Sequence, residues 1–176
     1  MKPPKTSVFI AISLDGFIAR AKGAIDWLSI VERPGEDYGF KAFYDSVDTL
    51  VIGRKTYDKV LGFEAWPYGD KRCVVVTSDP SKTSRQGEQF FSGELSELFE
   101  QLGAEGAQHV YVDGGIVIGQ ALKAGLVEEV TISILPLLLG EGRALAPEIG
   151  RDVPLELLEQ RAFESGLVQL RYRVKR

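Results

Sequence analysis

Two glycine-bearing turns constrain this chain more than any other feature: Gly53-Arg54-Lys55-Thr56 and Asp113-Gly114-Gly115. Each follows an apolar, β-branched run, Leu50-Val51-Ile52 in one case and Val110-Tyr111-Val112 in the other. Each precedes a helical stretch, starting near Thr56 and Ile116. A strand that ends in a glycine turn and opens a helix leaves unpaired backbone N–H groups, and the positive end of a helix dipole, at the rim of a sheet. Two such turns, the first carrying Arg54 and Lys55, point to a ligand with several phosphates, such as a dinucleotide.

The pattern around these turns sets the fold class. Ser7–Ile12 is an apolar run of strand length, closed by Ser13-Leu14-Asp15-Gly16. Residues 16–36 read as a long loop in which only Ile25–Val31 is apolar enough to pack. Phe40, Phe43 and Tyr44 have helical spacing, which predicts a helix from about Asp37 to Ser46. Strands are expected at Thr49–Ile52, Arg72–Thr77, Gln89–Phe91, Val110–Val112 and Glu129–Leu135. Helices are expected at Thr56–Leu61, around Leu95, Leu98, Phe99 and Leu102, and at Ile116–Ala124. Leu155–Phe163 and Leu167–Val174 flank Glu164-Ser165-Gly166 and read as a hairpin. The sum is an α/β chain: one domain over residues 1–176, with a mostly parallel central sheet flanked by helices and a C-terminal antiparallel hairpin.

Composition narrows the function classes. A chain of 176 residues, 44% hydrophobic and 26% charged, can bury a core without staples. Its net charge of −4 argues against a general nucleic-acid binder but leaves room for a local basic patch and a small anion. No run reaches the length of a membrane span, and no signal-peptide pattern opens the chain, so a cytoplasmic protein is expected. Cys73 is the only cysteine and His109 the only histidine. Cys73 lies in an apolar strand and reads as a core thiol; His109 reads as a strand-edge residue. Together they exclude a Cys- or His-rich metal site, and only the one ring could serve a serine- or cysteine-type triad.

Five short motifs then occur in a telling order. They are Ser13-Leu14-Asp15-Gly16-Phe17-Ile18-Ala19, Gly53-Arg54-Lys55-Thr56-Tyr57, Val76-Thr77-Ser78-Asp79-Pro80, Asp113-Gly114-Gly115 and Pro136-Leu137-Leu138-Leu139-Gly140-Glu141-Gly142. In this order they resemble the dihydrofolate reductase-like proteins, most closely the reductase half of the bifunctional deaminase-reductase of riboflavin synthesis and its stand-alone relatives. The resemblance spans residues 6–174 and implies NADPH as the hydride donor to a heterocyclic small molecule. By that resemblance the Gly53–Thr56 turn holds the adenosine side, with the forked guanidinium of Arg54 facing the 2′-phosphate. Thr77 and Ser78 lie beside the adenine ribose. Gly114, Gly115 and the N–H groups of Ile116, Val117 and Ile118 take the pyrophosphate, while Ala11, Ile12 and Ile18 wall the nicotinamide. A homodimer is the family's common assembly.

Asp37 is the candidate catalytic residue. The resemblance implies an acid that opens the substrate helix some sixteen positions before the Gly-Arg turn, and Asp37 stands at that spacing from Gly53. A carboxylate there grips a ring edge and helps protonate the acceptor; the plainer reading is a helix-start acid favoured by the dipole. Asp15 has a similar plain reading, as a turn former. The chain lacks the His-x-Glu and Cys-x-x-Cys set of a zinc deaminase, so a riboflavin-type enzyme here is a reductase only. The favoured activity is reduction of 5-amino-6-(5-phosphoribosylamino)uracil, for which Arg20, Lys22, Arg33 and Lys41 are the candidate phosphate contacts. Dihydrofolate reduction and a non-catalytic NADP-binding protein are the alternatives.

Overall fold

The computed structural model describes residues 3–81 and 84–175. Its main sheet has eight strands, in the order β5-β4-β3-β6-β1-β7-β10-β9. These are β1 (Lys5–Ser13), β3 (Thr49–Gly53), β4 (Arg72–Val76), β5 (Gln89–Phe91), β6 (His109–Asp113), β7 (Glu129–Leu135), β9 (Leu155–Ala162) and β10 (Val168–Val174). The first six of them pair in parallel, whereas β10 runs antiparallel to both β7 and β9. The expected α/β class, parallel sheet and C-terminal hairpin are therefore all present.

Alternation along the central strands explains the two cores. Val51, Val74, Val110 and Val112 face one side, where Leu98, Phe99 and Leu102 of α3 (Leu95–Ala104) and Ile118 and Leu122 of α4 (Gly115–Lys123) cover them. Leu50, Ile52, Cys73, Val75 and Tyr111 face the other side, against Tyr57 and Val60 of α2 (Arg54–Val60) and Phe43 and Tyr44 of α1 (Phe40–Ser46). Each large side chain so buried contributes about 1.5–3 kcal/mol. Cys73 is a core thiol, and burial pushes it up to about 12.

Three segments differ from the sequence reading. The expected loop at 16–36 contains β2 (Phe17–Ala19) and a 3₁₀ helix at Asp26–Val31. β2 pairs with β8 (Arg143–Ala144), a strand with no signal of its own in the sequence. The helix expected from Asp37 begins only at Phe40, because Tyr38 (φ 56°) and Gly39 (φ 80°) are left-handed. A left-handed conformation is costly for tyrosine. Tertiary contacts hold it: the Tyr38 hydroxyl donates to the Val31 carbonyl and accepts from Ser165 Oγ (2.8 Å), and Gln169 donates to the Tyr38 carbonyl (2.9 Å).

One buried charge fixes the loop before β5. Glu88 is 4% exposed and accepts from the Tyr57 hydroxyl and from the N–H groups of Arg85 (2.8 Å) and Gln86 (2.7 Å). Burial by itself raises its pKa, but these donors outweigh burial and hold it at about 2, below the ordinary 4.5. The stability this carboxylate contributes is therefore full above about pH 4.5 and disappears as the pH falls towards 2. Glu88→Gln should lower the unfolding free energy at pH 7 by about 2 kcal/mol. Urea titrations at pH 7 and pH 3 check this: the gap between the two proteins narrows at the lower pH.

Candidate functional site

The two glycine turns meet at the carboxyl ends of adjacent parallel strands. Ile52 of β3 is in register with Asp113 of β6, so Gly53 and Gly114 follow side by side. Gly114 has φ 100°, and a Cβ placed on it would stand 2.8 Å from Thr56 Oγ1 and 3.5 Å from the Gly53 nitrogen. A Cβ on Gly115 would lie 2.7 Å from the Ala144 carbonyl oxygen and 3.0 Å from Ile18 Cδ1. Both glycines thus have reasons internal to the chain: one a left-handed turn against α2, the other a close approach of β8. Gly115→Val is for this reason a poor probe of ligand binding, since it displaces backbone before any ligand arrives.

The first turn of α4 presents the N–H groups of Gly115, Ile116 and Val117, which have no acceptor within the helix. Ile118, expected among the donors, differs: its N–H donates to the Gly114 carbonyl at 2.9 Å and its side chain lies in the core. Ile116 is 53% exposed at the rim. Arg54 is not extended towards open space. Its Nε pairs with Asp58 Oδ1 at 2.8 Å, one turn along α2. Lys55 is exposed and Thr56 half-buried beside Gly114. Thr77 is tied to β5 through its N–H and the Phe91 carbonyl (2.9 Å), its Oγ1 accepts from Asp79 N–H (3.2 Å), and Ser78 is exposed next to it.

A cavity of about 820 Å³ opens on the other side of β1 and contains Ala11 and Asp37 in its wall. Phe9, Phe40, Leu28, Val31, Leu135 and Leu167 supply most of its apolar lining. Ala11 faces this cavity, Ile12 faces the core beneath α4, and Ile18 packs on Gly115. The three expected nicotinamide residues therefore run from the cavity towards the glycine turns. Trp27 is 2% exposed in the cluster that backs the cavity, and its indole N–H has no partner among the described residues. A buried donor of that kind calls for an acceptor. Neither the 3₁₀ helix nor this orphan donor was apparent from the sequence.

Asp37 does more than begin a helix. One carboxylate oxygen accepts from Gly39 N–H and the other from Lys41 N–H, both at 2.9 Å. The Lys41 and then the Gly39 hydrogen bonds hold its pKa below the usual carboxylate range, so it is ionised at neutral pH. Asp15 also has a wider role than shaping its own turn. It accepts from Ser13 Oγ (2.6 Å) and from the N–H groups of Leu139 (3.0 Å) and Gly140 (2.7 Å), joining the loop after β1 to the loop after β7. His109 pairs with Ser7 Oγ at 2.8 Å, but its other ring nitrogen meets the Ser46 carbonyl (3.0 Å) rather than an acid. Ser7 is itself 4% exposed, which suits a strand-edge pairing more than a nucleophile.

Asp113 is the site residue that sequence reasoning passed over, although its motif was noted. It ends β6 immediately before Gly114, whose N–H donates to its carboxylate at 2.9 Å. Burial pushes this carboxyl up to about 6, and the single N–H only partly opposes that. The available signal was an acid closing an otherwise apolar central strand.

A mostly parallel sheet with two glycine turns at adjacent strand ends and a C-terminal antiparallel hairpin is the dihydrofolate reductase-like α/β fold. The chain belongs to the RibD C-terminal domain family, whose model matches residues 4–169. It is 34% identical to the uncharacterized protein YwjB of Bacillus subtilis (strain 168) over 170 residues, 96% of this chain and 97% of that one. A putative riboflavin biosynthesis protein from Shewanella sp. PV-4 superposes with a TM-score of 0.89 at 37% identity, covering 98% of this chain and 99% of its own. A dihydrofolate reductase from Enterococcus faecalis, solved with NADP(H) and RAB-propyl, shares the fold at a TM-score of 0.66 and 18% identity, over 98% and 97% of the two chains.

The raised Asp113 gives a signature with the opposite sign to Glu88. The folded protein holds this proton more tightly than the unfolded chain, whose aspartate titrates near 3.8, so stability falls as the pH rises from about 4 through 6. Asp113→Asn keeps an acceptor for Gly114 N–H and removes the charge. It should be more stable than the parent at pH 8 by about 1–3 kcal/mol and indistinguishable at pH 4. Thermal unfolding at the two pH values tests this, and parallel curves for the two proteins would count against a buried ionised Asp113.

Proposed function

We propose that this protein is an NADPH-dependent reductase of a heterocyclic small molecule bound in the 820 Å³ cavity. The observation that carries the reading is the convergence of the two glycine turns and the open first turn of α4, with Ile18 packed on Gly115 and Ala11 in the cavity wall. The site fits a dinucleotide on two grounds: backbone donors at a helix start, and cations at Arg54 and Lys55. In this reading Gly115, Ile116 and Val117 hold the pyrophosphate. Arg54 and Lys55 meet the 2′-phosphate, Thr77 and Ser78 the adjoining ribose, and Ala11 and Ile18 the nicotinamide. When bound, the cofactor supplies a hydride. Family membership, and a similar fold solved with NADP(H), support the choice.

The chain's own contribution is orientation and charge. Asp37, ionised and fixed by two N–H groups, aligns the acceptor ring and favours positive charge developing on it. Because it carries no proton at neutral pH, the proton for the reduced ring comes from water or the acceptor itself. The exposed apolar residues Leu155 and Leu157 on the edge strand β9, and Val168 on β10, support a homodimer in which a second copy covers them.

Two experiments test this reading. NADPH should bind more tightly than NADH in a fluorescence titration, and Arg54→Ala should cost about tenfold in NADPH affinity. Asp58→Ala releases Arg54 from its helix partner and should leave NADPH affinity equal or higher. Equal binding of the two nucleotides by the parent protein would overturn the assignment. With an acceptor that the parent reduces, Asp37→Asn should lower turnover by about 10²–10³ and leave NADPH affinity unchanged. Turnover at the parent rate would reduce Asp37 to a helix cap.

A further inference from the structure

The charges around the cavity bear on its substrate class. A phosphate monoester carries close to two negative charges. Proteins receive it with Arg or Lys side chains, or with unpaired backbone N–H groups at a helix start. The cavity wall contains one cation, Arg33, against three carboxylates, Glu32, Glu36 and Asp37. The guanidinium of Arg33 is turned back on its own backbone, donating to the carbonyls of Glu32 (2.7 Å) and Ile30 (3.4 Å). The backbone donors at the start of α1 are also committed, since the Asp37 carboxylate sits on Gly39 N–H and Lys41 N–H.

Two further cations that the sequence offered for a phosphate are engaged as well. Arg20 makes a two-point pair with Asp26, at 2.8 and 3.0 Å. Lys41 is paired with Asp45 along α1. Of the four cations the sequence offered for a phosphoribosyl group, Arg20, Arg33 and Lys41 have partners in the structure, and only Lys22 is without one among the described residues. Apart from Ser133, the remaining lining is apolar or aromatic, with Phe9 and Phe40 in edge contact at 5.5 Å between ring centres. Behind it, the Trp27 indole N–H lacks an acceptor.

We infer that the substrate reduced in this cavity is a flat nitrogen heterocycle without a phosphate group, an inference that rests on the reductase reading above. The apolar walls suit an uncharged ring. The carboxylate-rich rim selects against a phosphorylated sugar.

The test is a matched pair: 5-amino-6-(5-phosphoribosylamino)uracil and the same compound after phosphatase treatment, titrated calorimetrically into the full-length protein. The dephosphorylated compound should bind at least about tenfold more tightly. Glu32→Gln with Glu36→Gln keeps the acceptors and removes two charges; it should narrow that ratio several-fold. Equal or tighter binding of the phosphorylated compound would overturn the inference, most directly if Arg33→Ala abolished it. Absence of binding by either compound would also overturn it, because the cavity would then not be the acceptor site. Failure of the cofactor reading shows separately, as equal binding of NADPH and NADH.

Discussion

The close approach of two glycine turns is the constraint on which the rest of this structure depends. β3 and β6 lie side by side, and each ends in a turn that opens a helix. Neither turn could carry a larger side chain at its inner face without moving its neighbour. Gly114 meets Thr56 and the Gly53 backbone, and Gly115 meets the Ala144 carbonyl. Positions that look like a ligand cradle are therefore also packing positions. One requirement, the absence of a Cβ, serves both the contact between turns and the exposure of backbone donors at the rim.

Three carboxylates show how environment separates one chemical group into different roles. Glu88 is buried yet held near 2 by three donors of one loop and a tyrosine, and it works as a lock. Asp113 is half-buried with a single donor, and desolvation pushes it up to about 6, beside the glycine turns. Asp37 is exposed, carries two N–H donors and stays ionised at the cavity rim. The number of hydrogen bonds to the charged form, set against burial, decides which is which.

Tyr38 connects the site to the C-terminal hairpin. Its left-handed backbone delays α1 until Phe40 and places Asp37 where both carboxylate oxygens reach the helix start. The cost of that backbone is offset by contacts with Val31, Ser165 and Gln169, which come from the 3₁₀ helix, the hairpin turn and β10. The antiparallel strands thus do more than extend the sheet, because they hold one wall of the cavity.

The central strands, the helices of both cores and the two glycine turns were legible in the sequence because their signals are local. Alternation places Leu50 and Ile52 opposite Val51, and the spacing of Leu95, Leu98, Phe99 and Leu102 makes one apolar helix face. Five motifs in order were enough to name the family. β8 was illegible because two residues become a strand only when β2 lies alongside them. The turn at Tyr38 was hidden because two of its supports, Ser165 and Gln169, come from the far end of the chain. The sequence could offer Arg54, Ile118 and the four cations as ligand contacts, but pairing with Asp58, Gly114, Asp26, Asp45 and the carbonyls beside Arg33 emerges only on folding. Residue types and their spacing determined the architecture. Proximity and desolvation, which belong to the folded chain alone, decided which of its charges are committed and which are left for a ligand.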